Sequence, residues 1–177
     1  GGSVSGTIRD SATGDPLPNA CADVYTASDT SMAVRSACAG ADGSYTVGGL
    51  PTMSAVVRFR LTPSHVPQWF DGKAAASTAT IIAVTSGEDT PAIDASLVRA
   101  GTVAGTLTDH ATATPLHGAC ATLYRSNTYE WVTSSCSGTD GRFAIAGLTP
   151  GSYRLSFQGP YGSAFKSSWH NGKSEWA

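Results

Sequence analysis

The stretch Gly2–Asp10 (GSVSGTIRD) recurs later in the chain as Gly101–Asp109 (GTVAGTLTD). The match continues in order: Ala20-Cys21-Ala22 with Ala119-Cys120-Ala121, Asp42-Gly43 with Asp140-Gly141, Gly49-Leu50 with Gly147-Leu148, and Trp69 with Trp169. Ordered matches over this length indicate two copies of one module of about 100 residues, which is a normal size for one β-sandwich. We therefore predict two domains, residues 1–99 and residues 100–177.

Short apolar alternations separated by turn residues run through both copies, and no long segment has apolar residues at helical spacing. In Val57–Leu61, for example, apolar side chains alternate with Arg58 and Arg60, the pattern of a strand with one solvated face. The fold class predicted is all-β, with two tandem immunoglobulin-like or prealbumin-like sandwiches. The strands predicted for the first copy are Val4–Arg9, Cys21–Thr26, Ala33–Ala39, Ser44–Gly48, Ala55–Leu61, Ala79–Val84 and Ile93–Val98.

The second copy is shorter than the first. It ends at Ala177, which aligns near Ser77, and nothing in it matches Ala79–Val84 or Ile93–Val98. We therefore expect the second sandwich to lack its last strands. Two explanations stay open: these strands are truncated or disordered, or another chain donates them, because an open sheet edge is a template for pairing.

The composition excludes several classes of protein. Charged residues make up 14% of the chain, hydrophobic residues 41%, and the net charge is −2, which argues against disorder and against binding to nucleic acid. No apolar run approaches the roughly 18 residues that span a membrane. The chain begins at Gly1-Gly2 without Met, and we interpret it as a mature or trimmed fragment.

Four cysteines fall two to a copy. Cys21 and Cys38 lie on the predicted second and third strands, and Cys120 and Cys136 occupy the matching positions. One pair in each copy predicts two disulfides and an oxidising compartment. The alternative is a metal site, but no Cys-x2-Cys spacing is present.

The ordered motifs Val-x-Gly-Thr-Ile/Leu-x-Asp, Ala-Cys-Ala-x-x-x-Tyr and Asp-Gly-x-Tyr/Phe, followed by Gly-Leu, resemble the carboxypeptidase regulatory-like module. This module belongs with transthyretin-like and Cna B-type repeats in prealbumin-like sandwiches. The resemblance implies a non-catalytic part of a secreted or surface protein, of bacterial source. Many Cna B-type repeats carry a Lys–Asn isopeptide bond. Because the first strands here contain no Lys, and Asp94 has no Lys partner at the matching position, we expect no such bond.

No reactive centre can be assembled from the sequence. His65, His110, His117 and His170 are interpreted as exposed loop residues. Neither a nucleophile elbow nor a phosphate-binding glycine motif occurs, and Asp42-Gly43 and Asp140-Gly141 fit hairpin turns better than calcium loops. We predict that the chain is not an enzyme and takes no cofactor and no metal.

Several aromatic residues occur only in the second copy. Tyr129 and Trp131, spaced to share one face of a strand, and Tyr161 and Trp176 are the candidate ligand-binding residues. Exposed rings of this kind stack on sugars or anchor partner proteins. The alternative is that they cover a core left open by the missing strands.

These observations predict a secreted or cell-surface chain that acts as a spacer and as an adhesion or binding module of a larger protein. The alternative is a carbohydrate-binding accessory module of a secreted hydrolase, using Tyr129 and Trp131. Expected partners are a polysaccharide or another surface protein, with possible strand donation at the open end of the second copy. Neither nucleic acid nor a membrane span is expected.

Overall fold

A computed structural model of the chain describes residues 1–172. The prediction of an all-β fold is confirmed, since the only helical segments in these residues are three short 3-10 turns. The chain divides into two compact units, with the second beginning at Gly101. The strands of the first unit are β1 (Gly2–Asp10), β2 (Cys21–Thr26), β3 (Arg35–Cys38), β4 (Ser44–Leu50), β5 (Met53–Arg60), β6 (Gln68–Trp69), β7 (Ile82–Val84), β8 (Asp89–Thr90) and β9 (Ala95–Leu97). Those of the second are β10 (Gly101–Thr106), β11 (Cys120–Arg125), β12 (Trp131–Cys136), β13 (Arg142–Leu148), β14 (Tyr153–Gln158) and β15 (Ser168–Trp169).

The first unit is a sandwich of two sheets. One sheet has the order β4-β1-β8, with β9 also paired to β1, and the other has the order β3-β2-β5-β6, with β7 also paired to β5. Alternate residues of each sheet point into the space between them, as the period of a strand requires. The core therefore combines residues such as Val4 and Ile8 of β1 with Val57 and Phe59 of β5, all of them inaccessible to solvent.

The second unit repeats the central part of this arrangement. Strand β10 pairs antiparallel with β13, and the second sheet has the order β12-β11-β14-β15. The pairing registers also repeat. Gly6 lies opposite Tyr45 in the first unit, as Gly105 lies opposite Phe143 in the second, and each of these strand pairs has a register shift near its start.

Both sheets of the second unit have fewer strands than those of the first. In residues 101–172, the part of this unit that the structure describes, no strand corresponds to β7, β8 or β9. The core of this unit, formed around Leu123, Phe143, Ile145 and Leu148, is correspondingly smaller.

The turn at Asp42-Gly43 is not a hairpin, contrary to the prediction. Gly43 has a φ of +78°, and the Ser44 amide donates to Asp42 Oδ1 at 3.0 Å, so a tight turn is present. However, β3 and β4 belong to different sheets, so the turn carries the chain from one sheet of the sandwich to the other. The residues that favour a tight turn are the same in a hairpin within one sheet and in a connection between two sheets, so they do not distinguish the two.

Candidate functional site

Each unit contains one disulfide between neighbouring strands. Cys21 on β2 is bonded to Cys38 on β3, and Cys120 on β11 to Cys136 on β12. In both units the two cysteines lie directly opposite each other in the ladder. The prediction of disulfides is confirmed, and the four thiols are accounted for.

Trp131 is the most prominent candidate ligand-binding residue. It opens β12 opposite Tyr124 of β11, and 60% of its surface is exposed. The matching residue of the first unit is Ala33, which is partly buried against Tyr25, Val56 and Trp69. A large exposed indole therefore stands where the other unit has a methyl group.

Tyr129 does not share a strand face with Trp131, so the spacing argument for these two residues was wrong. Tyr129 lies before the start of β12 and has a φ of +58°, which is incompatible with an extended strand. Its amide donates to the Arg125 carbonyl at 3.0 Å, closing a turn. Its ring lies 5.0 Å from the guanidinium carbon of Arg154, a cation–π distance. The turn still leaves Tyr129 and Trp131 exposed on either side of Glu130.

Tyr161 lies elsewhere in the unit. It is fully exposed and lines a hollow of about 440 Å³ together with Cys120, at the start of β11, and Phe165. The Tyr129 amide, by contrast, donates a hydrogen bond to the carbonyl of Arg125, at the other end of β11. The structure therefore does not bring the predicted aromatic residues into one site, and Trp176 lies outside the described residues.

His65 is buried, which corrects its interpretation as an exposed loop histidine. Its Nε2 lies 3.2 Å from Asp10 Oδ2, and Arg99 Nε donates to the same oxygen at 2.6 Å. Asp10 Oδ1 accepts the amide of Ala12 at 2.8 Å. The hydrogen bonds from Arg99 and Ala12, followed by that from His65, hold the pKa of Asp10 well below its usual range although the carboxyl is buried.

Ser64 completes a row of Ser, His and Asp side chains, but the arrangement suits a structural role. Ser64 Oγ lies 3.0 Å from His65 Nδ1, and it donates its hydrogen to the Leu61 carbonyl at 3.0 Å. The hydroxyl is thus engaged by the backbone. Around it, the Val66 amide donates to Val98 and the Ala100 amide to Ser64. These hydrogen bonds hold the segment that follows β9 against the loop that follows β5. The two segments are distant in sequence, and no local motif predicts their contact.

No group of three or more His, Cys, Asp or Glu side chains in residues 1–172 is placed to hold a metal ion. In the same residues, no helix has the length and apolar character needed to cross a bilayer.

Comparison with known proteins gives structural likenesses only. No family model and no curated protein sequence matches the chain. Among solved structures, it is similar to the Bacillus anthracis TIE protein (17% identity, TM-score 0.40, 98% of this chain and 32% of that one). It is also similar to a streptococcal ancillary pilin (20% identity, TM-score 0.43, 94% and 57%). A third is the shaft pilin SpaA of Lactobacillus rhamnosus GG (12% identity, TM-score 0.41, 98% and 93%).

The chain spans about a third of the TIE protein and somewhat more than half of the ancillary pilin. The all-β architecture follows from the chain's own sheets.

Proposed function

We propose that this chain is a non-catalytic extracellular element in which two disulfide-containing sandwiches act as spacer and as adhesion or binding module of a larger secreted or cell-surface protein. The observation that carries the proposal is the cross-strand disulfide at the same ladder position in each unit. Disulfides persist in oxidising compartments, outside the cytoplasm of ordinary bacteria. A bond between adjacent strands also resists their separation.

The proposal includes the domain assignment: residues 1–99 and 100–177 are two copies of one carboxypeptidase regulatory-like or Cna B-type module. Equivalent ring pairs support this assignment. Tyr25 and Trp69 have centroids 5.3 Å apart in the first unit, as Tyr124 and Trp169 have at 5.5 Å in the second. The division at Gly101 lies one residue beyond the proposed boundary.

The alternative function is a carbohydrate-binding accessory module of a secreted hydrolase. The exposure of Trp131 favours it, because a flat indole open to solvent can stack on the apolar face of a sugar ring. Tyr129 adds a second exposed ring two residues away along the chain, in cation–π contact with Arg154. Tyr161 would belong to a separate subsite.

The two functions are separated by measuring retention of the oxidised chain on a panel of insoluble polysaccharides. A spacer or protein-binding module is not retained on any of them. A carbohydrate-binding module is retained. Trp131→Ala then weakens retention about tenfold, the effect expected if stacking of a sugar on the indole contributes as much as stacking of a nucleobase on an aromatic side chain, roughly 1–3 kcal/mol.

Met32→Ala is the matched control, because it removes a large apolar side chain of the first unit that is still more exposed than Trp131 (80% against 60%). Equal losses in both variants would contradict the sugar-stacking site. Hydrolysis of any panel member by the purified chain, abolished by a single substitution, would contradict both proposals.

A further inference from the structure

The last segment of the first unit, Val98–Ala100, is held against a loop that lies far from it in sequence; we call it the exit segment. The Val66 amide donates to the Val98 carbonyl at 2.8 Å. The Ala100 amide donates to the Ser64 carbonyl, also at 2.8 Å. Because the first unit ends at Ala100, these two hydrogen bonds fix the point at which the chain leaves it.

One carboxylate joins both the loop and the exit segment to the end of β1. Asp10 Oδ2 accepts a hydrogen bond from Arg99 Nε at 2.6 Å and lies 3.2 Å from His65 Nε2. The side chains of Asp10 and His65 are 1% and 8% exposed, whereas that of Arg99 is 65% exposed. The contact between the carboxylate and the imidazole is therefore shielded from water, while the guanidinium is largely solvated.

Both ring nitrogens of His65 face oxygen acceptors. Nε2 faces the Asp10 carboxylate, which is ionised because hydrogen bonds, that from Arg99 above all, hold its pKa well below the usual range. Nδ1 lies 3.0 Å from Ser64 Oγ, and this hydroxyl donates its own hydrogen to the Leu61 carbonyl at 3.0 Å. An ionised carboxylate, and a hydroxyl oxygen whose hydrogen is already engaged, can only accept. The arrangement therefore calls for a proton on each ring nitrogen.

The charges around the ring are compatible with a second proton. Within residues 1–172, Asp10 is in direct contact with the ring, and Arg99 is the second cation on the same carboxylate oxygen. Arg99 repels a positively charged imidazole, but water screens this repulsion because most of the arginine side chain is exposed. The buried carboxylate faces the ring directly, and an opposite charge at this distance favours the charged form of a group.

The second unit has the carboxylate without the histidine. Asp109 is the counterpart of Asp10, and its Oδ1 accepts two amides of the turn that follows it, as that of Asp10 does. The loop between β14 and β15, residues 159–167, contains no histidine. Because this turn forms without a histidine, His65 is not needed for turn formation and has a separate role.

We propose that Asp10, His65 and Ser64 form a pH-dependent clasp for the exit segment. With a proton on each nitrogen, the ring donates to both the carboxylate and the hydroxyl and holds the loop against the end of β1. When the ring loses a proton, the attraction of its positive charge to Asp10 is lost. Ser64 must also turn its hydrogen from the Leu61 carbonyl to Nδ1.

The clasp is therefore tightest at acidic pH and loosens as the pH rises through the interval in which the charge of histidine changes, roughly pH 5 to pH 8. Its loosening frees the loop and, with it, the exit segment. The clasp adds a response to pH to the proposed spacer and binding role and does not depend on that role.

The test follows amide hydrogen exchange in the oxidised chain from pH 5 to pH 8, with each rate compared with that of an unstructured peptide at the same pH. Asp10 stays ionised over this interval, since its pKa lies well below it. We expect the protection of the Ala100 and Val66 amides to fall about tenfold, the effect of losing one hydrogen bond made by a charged group.

Two variants distinguish the clasp from a contact that is merely structural. His65→Gln places an amide donor near the carboxylate and cannot take up a proton, so we expect protection of Ala100 to become independent of pH. Ser64→Ala removes the acceptor at Nδ1, and we expect it to reduce the fall to about threefold. His110→Gln, at an exposed histidine of the second unit, is the matched control and keeps the full fall.

Three results overturn the proposal: protection that is constant from pH 5 to pH 8 in the unsubstituted chain, protection that rises with pH, or a fall that persists in His65→Gln. If His65→Gln does not fold, Ser64→Ala decides alone, because a full tenfold fall in that variant contradicts the role given to Nδ1.

Discussion

At the end of β1, the Asp10 carboxylate contacts two side chains that are distant from it in sequence and two backbone amides of the turn that follows it. Its Oδ2 accepts a hydrogen bond from Arg99 Nε and lies against His65 Nε2. Its Oδ1 accepts hydrogen bonds from the amides of Ala12 and Thr13. A buried carboxylate is tolerated only when it is paired and hydrogen-bonded in this way. Asp10 therefore links the first strand of the unit to its last segment.

Asp10→Asn is predicted to flatten the acid dependence of the first unit's stability. The native pKa of Asp10 lies well below the value of about 3.9 for an unfolded carboxyl. Between these values the unfolded chain binds more protons, so the carboxylate's contribution is present above about pH 4 and is lost as the pH falls through the native pKa. The measurement is hydrogen exchange in β1 from pH 2 to pH 6.

Asp109→Asn, at the matching turn of the second unit, is the control and leaves the exchange of β1 unchanged. An Asp10→Asn chain whose β1 stability falls with acid as steeply as the unsubstituted chain's would contradict the role given to Asp10.

His65 and Tyr129 mark the limit of prediction from residue type. A histidine between Ser64 and Val66 gives no local sign of burial, because the carboxylate that its Nε2 contacts comes from position 10. Tyr129 fits the alternation of a strand, but a positive φ places it in a turn. The exposure of Trp131 is seen in the structure, while a ligand for it stays a prediction.

At the scale of the element, the turn between the sheets is set by Gly43. Its φ is +78°, and a Cβ there would lie 2.6 Å from the Ile8 carbonyl oxygen. Gly14 has a similar φ of +75°, but nothing lies within 4 Å of the Cβ position. An alanine would therefore bring backbone strain alone at Gly14, and backbone strain together with a steric clash at Gly43.

Gly43→Ala is predicted to destabilise the first unit by more than Gly14→Ala. The latter carries only the strain of a left-handed alanine, about 1 kcal/mol, whereas the former also displaces the end of β1 from the turn. Denaturant unfolding of both variants measures the difference. Equal losses of stability would contradict the close approach at Gly43.

Strand prediction succeeded where neighbouring residues carry the signal. Cys21–Thr26 was predicted with the bounds that the structure has. The last two predicted strands were longer than the observed β7 and β9, and β8 was not predicted, because Asp89-Thr90 contains no apolar alternation. Its parallel pairing with β1 is a non-local contact, as is the assignment of β3 and β4 to different sheets.

At the scale of the whole molecule, the repeat makes each unit a reference for the other. Some residues facing the centre of the sandwich are buried in both units, such as Tyr45 and Phe143, whereas others, such as Phe59 and its counterpart Phe157, are buried in the first unit and partly exposed in the second. Comparison of the two units therefore distinguishes residues that each core needs from residues whose burial depends on the strands at the sheet edge. The domain boundaries are a proposal that rests on this correspondence.

Disulfide mapping of the oxidised chain, by mass spectrometry of a non-reduced digest, tests whether each unit is crosslinked within itself. Two crosslinked products are expected, Cys21 with Cys38 and Cys120 with Cys136. Reduction is expected to destabilise the first unit by about 3 kcal/mol, the value for a loop of this size. Free thiols, a crosslink between the units, or an unfolding transition that reduction leaves unchanged would contradict crosslinking within each unit.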